Sequence, residues 1–231
     1  MLVRLEYSVG KEVRYLSHLD FLRLFIRALR RARLPVAYSQ GFNPHAKVAF
    51  GPPLPVGITG SSEYLDVEFN EELPVTEIMD RLGQVLPRGV VIKRGKKIAG
   101  KTPSLMAVIE RARFEVRIPL EDGQRGINWE KAIGSFMART EVVVTRHTKD
   151  GPRPKEIRQG IYRLEGKEEE GTAVFNMELQ VGNRGSVRPD EVIRGLIELE
   201  GIPLLPEAME IRRTGLFLLQ EGKPVTPLEI L

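Results

Sequence analysis

The sequence predicts an α+β fold built as two tandem ferredoxin-like halves, each running β-α-β-β-β-α-β. Two observations carry this: strand-like alternation and helical periodicity succeed one another in the same order in both halves, and a Gly- and Lys-rich stretch separates them. The halves share element order rather than residues. At 231 residues, with 42% hydrophobic and 29% charged side chains, the chain is long enough to bury a core and too apolar to stay disordered.

Residues 1–9 alternate as a strand, Val3, Leu5, Tyr7 and Val9 against Leu2, Arg4, Glu6 and Ser8. A helix follows over 18–33. Ser17 with Asp20 three residues on forms a capping box, and Leu19, Leu22, Phe25, Ile26, Leu29 and Ala32 supply the stripe to be buried. Pro35 ends it. Short strands are expected near Val36–Tyr38 and Lys47–Phe50, then a strand over 63–69, a helix over 75–86 and a strand over 90–94. Gly95–Ser104 reads as a linker. The second half is predicted as strand 112–118, helix 128–138, strands 141–146, 157–164 and 172–181, helix 189–199 and strand 210–219. The expected domains are 1–98 and 105–221, with 222–231 left as a tail.

Composition excludes several chemistries. With no cysteine there is no disulfide, thiolate nucleophile, thiolate zinc site or cysteine-ligated iron–sulfur cluster. The three histidines, His18, His45 and His147, lack ligand spacing, so neither a metal nor a cofactor is expected. Charges from Arg4 onward argue against a signal peptide, and no apolar run approaches a membrane span, which makes the cytoplasm the expected compartment.

The net charge of +4 is unevenly distributed: residues 1–51 hold nine Lys or Arg against three acids. Arg23, Arg27 and the Arg30/Arg31 pair recur at helical spacing and so share a face. Such a face is either solvated or a site for an anionic partner. The following turn, Ser39-Gln40-Gly41-Phe42-Asn43-Pro44-His45, offers an amide, a ring and an imidazole suited to a nucleotide. Phe42 by itself reads as a plug in the core. Together with Lys47, these residues are the candidate RNA- or anion-binding set. A basic hairpin at Arg146, Lys149, Arg153, Lys155 and Arg158 is its counterpart in the second half. Lys93, Arg94, Lys96, Lys97 and Lys101 form a basic linker, and Gly182–Ser186 precedes a helix start where phosphates can bind. Glu63 and Asp66, three apart on a strand, point to opposite faces and make a poor carboxylate pair.

The blocks SHLD (17–20), RALRRARLP (27–35), SQGFNPH (39–45) and EYLD (63–66) occur here in order, and through them the chain resembles the radical-SAM-linked bacterial family of unknown function. The resemblance is weaker over 100–231, and Ala46 stands where the family usually has proline. It carries over Ser17, His18, Asp20, Arg23, Arg27, Arg30, Arg31, Gln40, Gly41, Phe42, Asn43, Pro44, His45, Glu63 and Asp66, and it implies a radical SAM partner that holds the cluster itself. Three functions follow as expectations. The first is an RNA-binding accessory protein that serves this partner in ribosomal or transfer RNA modification or processing, without activity of its own. The second is a metal-independent endoribonuclease of the CRISPR type, with His18 or His45 as base and Arg23 or Arg27 stabilising charge. The third is a scaffold for the partner that binds no RNA.

Overall fold

The computed structural model describes residues 1–100, 102–121 and 126–229. Among these the chain is mixed α+β, mostly sheet, with five α-helices. It divides into two units: Met1–Glu110 together with the chain from Gly215 onward, and Arg111–Thr214. The expected boundary near residue 100 thus lies at 110, and the residues expected as a tail belong to the first unit.

The first unit runs β1 (Leu2–Val9), α1 (His18–Arg31), β2 (Val48–Phe50), β3 (Thr59–Glu68), α2 (Val75–Gly83), β4 (Val90–Ile98) and α3 (Leu105–Val108). Strand β1 lies between β4 and β3, antiparallel to both, and β2 pairs with β3. The strand expected at 36–38 is only two isolated bridges, Val36 to Phe69 and Tyr38 to Ala46. The start of the expected linker, residues 95–98, is strand, since β4 runs on to Ile98.

One face of this sheet takes the helices. Val3, Leu5, Tyr7, Leu65 and Val67 meet Phe25 and Leu29 of α1 and Ile78 and Leu82 of α2. Tyr7, Phe25 and Phe50 pack edge to face, with centroids 5.0–6.2 Å apart. The buried stripe of α1 is Phe21, Phe25, Ala28 and Leu29; Leu19, expected inside, is 59% exposed. Ser17 caps the helix as expected: its hydroxyl accepts from the Asp20 N–H, and the Asp20 carboxylate accepts from the Ser17 N–H and hydroxyl.

The other face buries charge. Arg4 is fully buried, donating from Nε and Nη2 to both Asp66 oxygens at 2.8 and 2.9 Å and from Nη1 to the Pro227 carbonyl at 2.9 Å. Glu6, beside it, takes Arg94. The Pro227 and Leu228 carbonyls, the latter accepting from Lys96, bring the last described residues onto this face. A paired, fully hydrogen-bonded burial of this kind is tolerated, whereas removing one partner costs about 3–5 kcal/mol.

The second unit contains β5 (Arg111–Pro119), α4 (Trp129–Ala138), β6 (Val143–Thr148), β7 (Gly151–Glu156), β8 (Ile161–Glu169), β9 (Thr172–Gln180) and α5 (Pro189–Glu200). Strand β9 lies between β5 and β8, and β6 and β7 form a separate hairpin. The strand expected at 157–164 is β8, which starts at Ile161, and β7 is an additional strand between it and β6. Gly195 of α5 admits the Phe136 ring of α4, which lies 3.1 Å from where a Cβ would stand. Strands β10 (Glu210–Gln220) and β11 (Lys223–Val225) end the chain. Among the described residues no helix is long and apolar enough to cross a membrane.

Candidate functional site

Because α1 buries Phe21, Phe25 and Ala28, the residues two positions on from each are turned outward. Arg23, Arg27, Arg30 and Arg31 therefore line one open groove of about 700 Å³, together with Leu16, Asp20, Leu24 and Pro87. Asp20 is the one acid in its lining, and it is already engaged. The Ser17 hydroxyl and N–H hold its carboxyl below the ordinary range, and Arg23 adds to this only through a contact of 3.5 Å. An exposed pair of this kind contributes little, because solvent screens it. Arg30 donates to the Tyr38 hydroxyl at 3.2 Å and Arg31 to the Val85 carbonyl, both neutral acceptors. Arg27 pairs with none of the described residues. The four guanidinium groups thus converge with their charge largely uncompensated.

The loop is built beside them. Tyr38, which holds Arg30, pairs with Ala46 across its neck. Inside that bridge the Ser39 N–H donates to the His45 carbonyl at 2.9 Å. The His45 N–H reaches the Ser39 hydroxyl at 3.1 Å, and that hydroxyl lies 2.9 Å from His45 Nδ1. Gly41 takes φ 127°, a conformation that favours glycine. With its neck pinned, the loop exposes Gln40 through His45. Phe42 is completely exposed, so it is no core plug. Lys47, also expected to bind anions, is paired with Glu68 at 2.9 Å.

The second-unit hairpin differs from its expected counterpart. Arg158 donates to the Met137 and Ile161 carbonyls, Lys155 to the Ser186 carbonyl, and Arg153 is paired with Asp150. Burial, with Arg146 and Arg188 nearby, pushes the Lys155 ammonium below its ordinary pKa. Arg146 binds the buried Glu191, whose carboxylate also accepts from the Arg188 N–H at the start of α5. The start of α5 after Gly182–Ser186 is thus already met by an internal carboxylate. The basic stretch of the first unit is similarly engaged: Lys93 on the Ser61 carbonyl, Arg94 on Glu6, Lys96 on the Leu228 carbonyl and Lys97 on Glu72. Lys101 lies outside the described residues.

His18 and His45 occupy different settings. His18 packs edge-on against Phe50, centroids 5.5 Å apart, at a small crevice also lined by Tyr7, Pro52 and the buried Glu63. His45 is pinned within its loop. Glu63 faces this crevice, whereas Asp66 holds Arg4. The buried role of Arg4 is not visible in the sequence, where alternation sets it only on the face opposite Val3, Leu5 and Tyr7.

A family model described as an uncharacterized protein conserved in bacteria, DUF2344, matches residues 3–189. The chain belongs to this family. The DUF2344 match takes in α1, the 39–45 loop and the second-unit hairpin. No curated protein matches the chain. Among solved structures, a chain of a Cbf5–Nop10–Gar1 complex is similar over 93% of this chain, with 13% identity and a TM-score of 0.50. This DUF2344 protein spans about half of that chain, 48% of its length, and the likeness is one of fold. An unknown protein from Galdieria sulphuraria aligns over 92% of this chain and 96% of its own, at 14% identity and a TM-score of 0.26, too low to bear on the fold.

Proposed function

We propose that this DUF2344 protein is an RNA-binding accessory protein, with the arginine face of α1 and the 39–45 loop as its RNA surface. The observation that carries the proposal is the groove in which Arg23, Arg27, Arg30 and Arg31 meet around a single, already engaged acid. Like charges gathered this closely repel one another in the free protein. An anionic polymer relieves that repulsion and releases its own counterions, the main source of sequence-independent affinity for nucleic acid. The exposed Phe42, Gln40 and Asn43 add groups that stack on and hydrogen-bond to bases. We read both units as ferredoxin-like, the second with an inserted β6–β7 hairpin, a reading supported by the antiparallel β4-β1-β3-β2 and β5-β9-β8 orders.

The partner in this proposal is a radical SAM protein acting on ribosomal or transfer RNA; its support is the resemblance carried by the SHLD, SQGFNPH and EYLD blocks. Without a cysteine, this chain leaves the cluster to the partner. The test is equilibrium binding of purified protein to RNA at rising salt. The proposal expects measurable affinity at low salt that falls steeply as salt rises, and the absence of any affinity at low salt contradicts it.

A further inference from the structure

The geometry of the same surface points to its substrate class. We infer that the arginine groove and the loop take a single-stranded RNA segment, with about three consecutive phosphates along α1 and one unstacked base on the Phe42 ring. This rests on the RNA-binding reading above. Arg23, Arg27 and the Arg30/Arg31 pair follow one another at three or four residues, so they rise about 4.5–6 Å per step along the helix axis. That is close to the step between neighbouring phosphates in one strand.

Phe42 decides between strand and duplex. A ring that is 105% exposed, at the tip of a loop pinned by Ser39, His45 and the Tyr38–Ala46 bridge, has no packing role in the first unit. In a duplex the base faces are hidden by stacking, so such a ring has nothing to cover; in a single strand every base offers a face. The link between the two features is Arg30, whose Nε donates to the Tyr38 hydroxyl at the foot of the loop. The arginine groove is therefore joined to the foot of the loop that carries the stacking ring.

The test compares a mixed-sequence oligoribonucleotide, single-stranded and then annealed to its complement, by fluorescence anisotropy with the full chain and with Phe42→Ala. The single strand is expected to bind at least about tenfold more tightly than the duplex. Phe42→Ala should weaken single-strand binding about 5- to 150-fold, the measured range for one stacked base, with an unchanged salt slope and no effect on duplex. Equal affinity for both forms, unaltered by Phe42→Ala, overturns the inference and leaves the RNA-binding reading standing. If neither form binds while polyglutamate does, the surface is a protein dock and both readings fail.

Discussion

Glu178 shows how one residue reports on the folded state. It is buried in β9, with Arg111 on one carboxylate oxygen at 2.7 Å and Arg113 on the other at 2.9 Å. Burial pushes its carboxyl up, and the two guanidinium groups more than offset this, holding it below the ordinary range. A native carboxyl pKa below its unfolded value of about 4.3 contributes stability that is present at higher pH and is lost as pH falls through the native value. Urea midpoints of the wild type should therefore drop on acidification below about pH 4, and Glu178→Gln should flatten that drop; parallel curves would contradict the assignment. At this scale the sequence was legible where periodicity decides. Arg23, Arg27, Arg30 and Arg31 share a groove because helical spacing requires it. Arg4 was illegible because alternation says which face a side chain is on and nothing about what covers that face. Here the cover includes the Pro227 carbonyl, 223 residues away.

Helix α1 connects the core to the candidate surface. Its start was legible from Ser17 and Asp20, and its stripe only in part. Between Leu19 and Leu29 apolar residues recur on most sides of the helix, so periodicity alone leaves its rotation ambiguous. Packing against Tyr7 and Phe50 selects Phe21 and Phe25 and turns Leu19 out. Phe25→Ala should cost about 3–5 kcal/mol, while Leu19→Ala should stay within about 0.5 kcal/mol, as measured by denaturant unfolding. Comparable costs at the two positions would mean that α1 buries Leu19 as well, as the sequence pattern predicts. The loop shows the same limit. Its turn residues predicted a turn, but the exposure of Phe42 follows from the Tyr38–Ala46 bridge and the Ser39–His45 bonds, long-range pairings that no local pattern encodes.

At the scale of the whole molecule, the α+β class and most elements were legible, and the division of the chain was not. Composition marked 95–104 as a linker, yet β4 continues to Ile98 and the chain from Gly215 onward belongs to the first unit. Removing residues 223–231 should expose Arg4 and Asp66. Amide hydrogen exchange in β1 and β3 should then quicken by at least about tenfold while β5 and β9 keep their protection. Uniform loss of protection would contradict the division into units. The proposed function also belongs to this scale, since it rests on where the charge gathers. The most direct measurement is the salt dependence of RNA affinity for the wild type and for a variant with Arg23, Arg27 and Arg30 replaced by alanine, Arg31 being kept because it also holds the Val85 carbonyl. The account predicts a slope of log affinity against log salt of about −2 to −3 for the wild type and about −1 or shallower for the variant, whose fold is retained. Equal slopes for the two proteins, or no RNA affinity at low salt, would contradict it.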